Sequence, residues 1–528
     1  MKQPSNPFVG LRPFLSAESH LFFGRRGQIN DVLTKLQQHR LLAVVGRSGC
    51  GKSSLVRAGL IPALAAGFLV DDREQWRICV TQPGSSPLRN LATALWDSDL
   101  TRDLSGEELT RRVDRLFGRL QAAGARAVFE HLSPKSHTND GLALGDDENL
   151  LILVDQFEEL FRFGLRAPDD SSRDEAARFV TILLALAERR TAPVYVVMTM
   201  RSDYLRDCDA FYGLPEAINR SLYLVPRLTR EMRREIIEAP VSLFDASITP
   251  KLVERLLEDS DDECRFDGTE EEPDQLPVLQ HALMRTWDHW QQAVEATAGS
   301  RTSNDVVRPI DETDYEAVGT LRSALSNDAN ATLPPGDDDL PKRVFQALTE
   351  TDTKKRRIRR AALASEITAE VGLTDEQPVW DIVNRFRTDG RTFLVVYTGH
   401  GSASAGGDAR IDISHESLIR RWDKLAHWVE EEAESADKYR WIAAEAQRAA
   451  RGPWPLLRDR ALDEADAWWD RQRPNAAWGK RYCPGVDFRD VETLLERSRS
   501  ERDRITAEQD RQRQAEEARQ AEQARHQT

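Results

Sequence analysis

The sequence predicts an α/β fold with a central parallel sheet, followed by a mostly helical second half. Three apolar runs indicate the sheet, and they cover residues 41–45, 150–154 and 191–201. Aliphatic runs without alternating polar positions are typical of parallel strands that are buried on both faces. Segments with helical periodicity separate the runs, as in α/β proteins. The carboxyl ends of such strands meet at one edge of the sheet, where ligands bind in open α/β folds.

The composition is that of a soluble globular protein with an excess of acidic residues. The chain of 528 residues is long enough for about three or four domains, and its 40% hydrophobic and 30% charged residues are ordinary proportions. The formal net charge of −15 argues against a general nucleic-acid binder, because the phosphate backbone attracts basic surfaces.

The cysteines and the apolar runs bear on the cellular location. The five cysteines are scattered and odd in number, and none belongs to a C-x-x-C pair. They predict neither a zinc site nor a disulfide framework, so a reducing, cytoplasmic location is expected. No stretch approaches the roughly 20 apolar residues of a membrane span, and the N-terminus lacks a signal-peptide pattern.

The first apolar run is followed at once by a phosphate-binding loop. Gly46 and Gly51 enclose four residues and precede Lys52 and Ser53, which is the spacing G-x-x-x-x-G-K-[ST]. Glycines let successive backbone N–H groups turn toward an anion, and the next helix adds the positive end of its dipole. Lys52 then reaches the β- and γ-phosphates of a nucleotide, and the Ser53 hydroxyl ligates Mg²⁺. Cys50 is interpreted as a tolerated loop residue and not as a nucleophile.

Residues 1–40 precede the first apolar run and contain two aromatic stretches, 6–14 and 21–25. On these residues alone an ordinary docking segment is the favoured interpretation. A lid over the nucleotide base is the alternative.

The second apolar run ends in Asp155, and Glu158 and Glu159 follow within one turn. A carboxylate at the carboxyl edge of a parallel sheet is where phosphoryl-transfer sites hold Mg²⁺. We therefore expect Asp155 to organise the metal and one of the two glutamates to polarise the attacking water. The alternatives are a helix N-cap for Asp155 and solvated side chains for the glutamates.

The third apolar run ends in Arg201. An arginine at this edge of the sheet can sense the γ-phosphate through a bidentate contact. The alternative is a plain ion pair with a carboxylate.

The second half of the chain is predicted to be helical, with one β-hairpin. Thr229 is a plausible N-cap for the first helix of this half. Residues 391–397 and 409–413 form two strands around a Gly/Ser-rich turn, and helical segments flank them. This order of elements predicts a winged helix-turn-helix.

The last hundred residues divide into two helical parts. Residues 430–485 hold tryptophans at positions 441, 454, 468, 469 and 478, which we interpret as the core of a helical bundle. After Ile505 the sequence has no large aliphatic residue, so this helix is expected to project into solvent or to serve as a linker.

These motifs together resemble the STAND class of P-loop NTPases, which is related to the NB-ARC and NACHT signalling ATPases. More narrowly they resemble its bacterial "novel STAND" branch. The segments that carry the resemblance are N-P-F-V-G-L-R-P-F, F-F-G-R, G-R-S-G-C-G-K-S-S-L-V-R-A-G-L-I-P-A-L, L-V-D-Q-F-E-E-L-F, M-T-M-R-S-D-Y, L-P-V-L-Q-H-A-L and H-E-S-L-I-R-R-W, in this order between residues 6 and 430.

The resemblance implies a P-loop NTPase three-layer sandwich with a parallel sheet, followed by a helical lid, a winged helix and a C-terminal helical region. The expected regions are the NTPase core with an N-terminal adenine-side segment (1–225), the lid (226–308), the winged helix (309–430), a helical bundle (431–485) and a solvent-exposed or linker helix (486–528).

The resemblance also assigns roles to residues at matching positions. Gly24 and Arg25 would lie near the adenine. The phosphate-binding loop would comprise Gly46, Gly49, Cys50, Gly51, Lys52, Ser53 and Ser54. Asp155 would be the acidic residue for Mg²⁺, Glu158 and Glu159 the acidic pair beyond it, and Arg201 the sensor arginine.

Two further assignments concern the regions after the core. Pro277 matches the lid proline that packs on the nucleotide, and His415 matches the winged-helix histidine that contacts the β-phosphate of ADP. On the sequence alone, a lone histidine at a helix start is more often a surface or core residue. The resemblance favours a latch that keeps the switch shut.

The resemblance implies a slow, Mg²⁺-dependent ATPase that works as a signalling switch. ADP would lock the resting state, and exchange for ATP would permit a homo-oligomer that activates an effector, as in antiviral or stress signalling. No effector domain precedes the loop and no repeat sensor follows it. A separate effector or sensor protein, or a longer parent chain, is therefore expected.

A DNA-binding ATPase or transcriptional regulator is the alternative, because winged helices often bind DNA. The net charge of −15 argues against nucleic acid as a partner. Arg420 and Arg421 are the only evident basic pair near the winged helix.

Overall fold

A five-stranded parallel sheet forms the centre of the first part of the chain. The structure, a computed structural model, describes residues 6–67, 73–97, 106–132, 144–165, 170–189, 193–262, 275–298, 307–336, 339–351, 357–387, 391–397, 409–452 and 455–527. The strands are β1 (Leu41–Gly46), β2 (Gln75–Thr81), β3 (Glu148–Val154), β4 (Val194–Arg201) and β5 (Leu222–Leu224). Their order is β2-β3-β4-β1-β5, with parallel pairing throughout. The predicted parallel sheet is confirmed, and the three predicted runs are β1, β3 and β4.

Alternate residues of the central strands enter two separate hydrophobic cores. In β1, Leu41, Ala43 and Val45 pack on one side of the sheet, and Leu42 and Val44 pack on the other. Successive side chains of a strand point to opposite faces, so a strand that is apolar at every position needs cover on both faces. The three layers of the sandwich follow from this requirement.

Helices cover both faces of the sheet. One face carries α1 (Arg26–His39) and a continuous helical segment made of α2 (Lys52–Ser54), a π-helical turn (Leu55–Leu60) and α3 (Ile61–Ala65). The other face carries α4 (Pro87–Asp97), α5 (Gly106–Ala123), α6 (Ala125–Leu132), α7 (Asp170–Glu188) and α8 (Leu214–Ser221). Short 3-10 helices span Ser16–Leu21 and Ser202–Ala210, and a π-helical turn spans Leu160–Leu165.

A helical unit with its own core follows the sheet. It consists of α9 (Arg230–Ser242), α10 (Pro250–Asp262), α11 (Gln275–Ala298), α12 (Glu312–Ala317) and α13 (Thr320–Thr332). Thr229 caps α9, since its side chain accepts a hydrogen bond from the backbone N–H of Met232, as predicted. Ile310 and Tyr315 belong to this core. The core therefore continues past residue 308, where the sequence analysis expects the lid to end.

The next unit combines helices with a small antiparallel sheet. Its elements are α14 (Asp339–Ala347), β6 (Thr349–Thr351), β7 (Arg357–Arg359), β8 (Ala362–Leu363), α15 (Ala364–Val371), α16 (Gln377–Arg385), β9 (Leu394–Tyr397), β10 (Arg410–Ile413) and α17 (Ser417–Arg421). The strand order is β8-β10-β9, and β6 pairs with β7. The predicted hairpin strands are β9 and β10, while its turn lies outside the described residues. Strands of two or three residues, such as β8, show no periodicity in a sequence, so β6 to β8 were not predicted.

Four helices complete the chain. They are α18 (Asp423–Arg451), α19 (Asp459–Gln472), α20 (Ala476–Tyr482) and α21 (Phe488–Gln527). Trp468 and Trp478 are buried in their common core, as the bundle interpretation expects, whereas Trp441 is exposed. Trp454 lies outside the described residues.

The packed part of the C-terminal bundle extends beyond residue 485, where the sequence analysis expects it to end. The first turns of α21 pack into the bundle core through Val491, Leu494 and Leu495, and the helix is mostly exposed from about residue 500 onward. Helix α18 contributes Trp428 to the preceding core and Tyr439 to the bundle core. Within the described residues, no helix has both the length and the apolar character that a membrane span requires.

Candidate functional site

The loop between β1 and α2 has the backbone of a phosphate cradle. Gly49 and Gly51 have positive φ angles of 71° and 87°, which side chains with a Cβ rarely adopt. A Cβ at Gly46 would lie 2.7 Å from the Sγ of Cys50, so a larger residue there would require the Cys50 side chain to move. Lys52 is buried, and its Nζ donates a hydrogen bond to the carbonyl of Arg47, 2.7 Å away. The ammonium group is thus held across the loop.

The carboxylate of Asp155 lies beneath this loop. It is 1% exposed, and its Oδ1 accepts hydrogen bonds from the hydroxyls of Ser53 at 2.7 Å and Thr199 at 2.6 Å. Its Oδ2 accepts from Arg57 Nε at 3.0 Å and pairs with the terminal nitrogen at 2.9 Å. The sequence analysis predicted Ser53 and Asp155 as neighbours at one metal site, but it did not predict the contacts of Thr199 and Arg57 with Asp155. Arg57 follows Ser53 by four residues, and this helical spacing is a signal that could have revealed it.

The acidic pair follows a tight turn at Gln156, whose φ is 59°. Burial raises the pKa of Glu158, against the lowering effect of Lys52, and its Oε2 accepts from the backbone N–H of Arg201 at 3.3 Å. Burial likewise raises the pKa of Glu159 to about 7, although Arg359 opposes this. Glu159 accepts from the backbone N–H of Gly84 at 3.1 Å. Neither glutamate is a solvated surface residue.

Arg201 forms ion pairs with two carboxylates, those of Glu416 and Asp203. Its Nη1 lies 2.7 and 2.6 Å from the two carboxylate oxygens of Glu416, and its Nε and Nη2 contact Asp203 at 3.1 and 2.9 Å. Burial raises the pKa of Glu416, but Arg201, Arg359 and Arg420 outweigh this and bring it to about 2. The structure thus shows the ion pairs that were the alternative interpretation of Arg201, while a contact with a γ-phosphate stays a prediction.

Arg359 makes a second contact between the sheet edge and the antiparallel unit. Its Nη2 donates to Oε1 of Gln156 at 2.5 Å, and its Nη1 donates to Asp412 at 3.1 Å and to the carbonyl of Ile413 at 3.0 Å. Arg162 donates in turn to the backbone carbonyl of Arg359. Sequence reasoning missed this arginine, because its partners lie some fifty and two hundred residues away in the chain.

The side chain of His415 has a defined orientation. Its Nδ1 accepts a hydrogen bond from the backbone N–H of Ser417 at 3.1 Å and lies 2.7 Å from the Ser417 hydroxyl. A nitrogen that accepts from an amide carries no proton, so neutral His415 carries its proton on Nε2. His415 is one of the residues that line the cavity.

Gly24 and Arg25 connect the N-terminal segment to the loop and to α9. Gly24 has a φ of 76°, and a Cβ there would lie 2.8 Å from the carbonyl of Met232. Arg25 is buried, and its guanidinium donates to the carbonyls of Pro226 and Cys50, each at 2.9 Å. Cys50 thus contributes a backbone acceptor and a packed side chain, consistent with its interpretation as a loop residue.

One cavity joins these groups. Its volume is about 180 Å³, more than ten times the roughly 10–15 Å³ that one water molecule occupies on such a measure. The predicted site residues that line it are Arg25, Gly49, Gly51, Lys52, Ser53, Ser54, Glu158, Glu159, Arg201, Pro277 and His415. The predicted residues that do not line it are Gly24, Gly46, Cys50 and Asp155.

The N-terminal segment supplies an apolar wall to the cavity. Val9, Leu11, Phe14, Leu21 and Phe22 line it, together with Ile236 of α9. The interpretation of residues 1–40 as an ordinary docking segment is therefore incomplete, since aromatic and aliphatic side chains from it line the cavity. In the sequence these residues stand out only by their aromatic content, which does not distinguish a docking segment from the wall of a cavity.

The residues present fit a nucleotide with a divalent cation. The loop N–H groups and Lys52 suit phosphates, and the apolar wall suits a base. The Ser53 hydroxyl and the Asp155 carboxylate are hard oxygen donors, and Mg²⁺ is commonly held by one or two carboxylates together with substrate phosphates. No group of three or more His, Cys, Asp or Glu side chains suited to a metal occurs in the described part of the chain.

Comparisons with known proteins give a family for this chain. A family profile described as Novel STAND NTPase 1 matches residues 7–452. A curated relative, the phosphate import ATP-binding protein PstB 2 of Bacillus licheniformis, is 31% identical over 58 residues, which cover 10% of this chain and 21% of that protein. The chain therefore spans about a fifth of the length of this relative.

Solved structures of low similarity accompany these matches. The Aeropyrum pernix ORC1 protein in complex with DNA has 14% identity and a TM-score of 0.35, over 76% of this chain and 93% of that chain. The ORC2 protein of the same organism has 11% identity and a TM-score of 0.37, over 77% and 94%. At these scores the likeness carries no argument about function.

Substitution of Gly24 tests the close approach of the N-terminal segment to α9. Gly24→Ala should destabilise the protein by at least about 1 kcal/mol, because the left-handed backbone is strained and the new Cβ meets a carbonyl oxygen. Gly27→Ala is the matched control, since nothing lies within 4 Å of a Cβ there and no positive φ is required. Thermal unfolding of both variants measures the difference. Equal unfolding temperatures for the two variants would contradict the proposed crowding at Gly24.

The raised pKa of Glu159 predicts a pH-dependent stability. In the folded protein the pKa is about 7, against an ordinary value of 4.5, so the folded state binds more protons between these values. The contribution of this group is fully present below pH 4.5 and is lost as the pH rises toward 7. Glu159→Gln should therefore gain stability relative to the parent protein as the pH rises through this window, and the gain should level off above it. A pH-independent difference in unfolding temperature would contradict the burial of this carboxyl.

Proposed function

This chain belongs to the novel STAND NTPase 1 family, and we propose that it is an ATP/ADP-dependent signalling switch whose resting state is locked by ADP. The observation that carries the proposal is the composition of the cavity wall. The phosphate-binding loop, Pro277 of α11 and His415 before α17 line the same space. A nucleotide in this space would touch the sheet, the helical lid and the winged-helix unit at once, so its phosphates would govern how these parts are held together.

ADP is proposed to be the ligand of the closed form. The loop and Lys52 would hold its phosphates, and the Nε2–H of His415 would donate a hydrogen bond to the β-phosphate. Gly24 and Arg25 would lie on the adenine side, where the apolar wall supports a base, and Pro277 would pack on the nucleotide. Each of these contacts comes from a different unit of the chain, so the diphosphate would act as the common partner of all of them.

ATP is proposed to open the chain through Arg201. A γ-phosphate beside Lys52 would compete with Glu416 for the Arg201 guanidinium, because both offer oxygens to the same donors. Loss of this partner would leave the buried Glu416 carboxylate with less compensation, at a cost of up to about 3–5 kcal/mol. Arg420, 3.3 Å from Glu416, offsets part of this cost. Movement of the winged-helix unit away from the sheet would expose Glu416 to solvent and remove the rest of this free-energy cost.

The same residues support hydrolysis of the nucleotide. Mg²⁺, held by Ser53 and Asp155, would neutralise phosphate charge and orient the γ-phosphate. Glu158 and Glu159 line the cavity, and one of them would polarise the attacking water. Burial raises the pKa of both carboxyl groups, which makes either one a stronger base in its ionised form. That hydrolysis is slow is proposed from the family resemblance.

The proposed partners are further copies of this chain and a protein effector or sensor, in the cytoplasm, with antiviral or stress signalling as the class-level role. The DNA-binding alternative is less well supported. Arg420 pairs with Glu416, and burial lowers the pKa of Arg421, so neither arginine presents an exposed cationic surface.

Nucleotide content and mass in solution test the proposal directly. The purified protein should release ADP on denaturation, and it should be a monomer with ADP and a larger species with ATP and Mg²⁺. Lys52→Ala should lose at least about a hundredfold in nucleotide affinity, because a charged donor to phosphate is removed. If the purified protein contained no nucleotide, or if its mass in solution were the same with ADP and with ATP, the proposed switch would be contradicted. Salt-dependent binding to DNA duplexes would instead favour the alternative.

Glu416 provides a test of the closed state. Glu416→Gln keeps the shape of the side chain but removes the ion pair with Arg201, so ADP release should be faster by about tenfold or more. The fraction of larger species under ATP should also increase. Glu430→Gln is the control, since Glu430 is exposed and lies 3.5 Å from its partner Arg357. Release rates and masses that match those of the parent protein would contradict the role of Glu416.

A further inference from the structure

The contact between Arg57 and Asp155 has no role in the function proposed above. Both oxygens of the Asp155 carboxylate have protein partners: the hydroxyls of Ser53 and Thr199 bind Oδ1, and Arg57 binds Oδ2 through two nitrogens at 3.0 and 2.9 Å. The carboxylate that would serve Mg²⁺ is thus neutralised by a side chain of the same chain.

The N-terminal segment fixes the backbone around Arg57. The Ser16 hydroxyl donates to the carbonyl of Arg57 at 2.8 Å, and the backbone N–H of Phe14 donates to the Ser54 hydroxyl at 3.2 Å. These two bonds hold the helix that follows the loop against the segment that walls the cavity. The position of Arg57 is therefore tied to the closed arrangement of the N-terminal segment.

We propose that Arg57 takes the place of the divalent cation at Asp155 in the closed form, so that the chain holds a nucleoside diphosphate without Mg²⁺. Arg57 must then withdraw from Asp155 before Ser53 and Asp155 ligate the metal that accompanies a triphosphate. The inference rests on the proposed nucleotide switch, and it adds a metal-independent resting state that the switch itself does not require.

The charges near the loop explain why a cation is needed there. Asp155 lies one hydrogen bond from Ser53, and Ser53 lines the cavity beside Lys52. Without Arg57, the negative charge of Asp155 would repel the phosphates of ADP across a few ångströms of low-dielectric protein. With Arg57 in place the charge of Asp155 is cancelled, so it no longer opposes the attraction of Lys52 for the phosphates.

The geometry of the contact allows Arg57 to leave. Both of its nitrogens bind the single oxygen Oδ2, whereas a fork that binds both carboxylate oxygens is the stronger arrangement. The Arg57 side chain is 22% exposed, so a path to solvent exists, while Asp155 is almost fully buried. A contact that engages only one carboxylate oxygen, made by a partly exposed arginine, is well suited to exchange for a metal ion.

Binding of a fluorescent ADP to the nucleotide-free full chain, with excess Mg²⁺ or with EDTA, tests the proposal. The parent protein should bind with the same affinity in both media, within about twofold. Arg57→Gln should lose about tenfold to hundredfold in affinity in EDTA and recover it with Mg²⁺, since the metal then supplies the missing charge. The double variant Arg57→Gln/Asp155→Asn should recover metal-free binding, because the repelling carboxylate is also removed.

The controls separate this inference from the proposed function. Arg89→Gln removes an arginine from an exposed ion pair with Asp114 and should behave as the parent protein. If the parent protein bound ADP only with Mg²⁺, or if Arg57→Gln matched it in EDTA, the role of Arg57 would be overturned while the switch remained. If the parent protein bound neither ADP nor ATP in either medium, both proposals would fail. Circular dichroism of each variant verifies that it is folded.

Discussion

The parallel register of β1, β3 and β4 is the constraint on which the rest of the site depends. Gly46 at the end of β1 is paired with Arg201 at the end of β4, and β3 ends beside them just before Asp155. Three strands that must be buried on both faces can only expose their polar residues where they end. The loop after β1, Asp155 and Arg201 therefore meet at one edge, because the pairing of the strands brings their ends together.

That constraint explains which parts of the site could be predicted from the sequence. The loop and Asp155 were predictable, because their spacing and their position after apolar runs are local signals. The ion pair between Arg201 and Glu416 was not, since 215 residues separate the partners. Arg359 was missed for the same reason. It lies in a three-residue strand, which shows no periodicity, and its partners come from two different units.

In the helical parts, too, features that depend on neighbouring residues were predicted, and features that depend on packing against distant residues were not. Thr229 was recognised as a cap because capping depends on adjacent residues. The packed start of α21 was not, because Val491, Leu494 and Leu495 are few apolar residues before a long polar stretch. The aromatic residues of the N-terminal segment were seen, but a sequence does not say which space they enclose.

Helix α18 gives the closed arrangement a mechanical consequence. The helix has 29 residues, a length of about 44 Å at 1.5 Å per residue, and it begins directly after Trp422, which is fully buried beside the segment that carries His415 and Glu416. Its two ends are embedded in different cores, so a change in the orientation of the helix would move the C-terminal bundle with it. A tilt of about 10° at the start of the helix would displace its far end by roughly 8 Å. A small rotation of the segment beside the cavity would therefore become a larger displacement at the bundle.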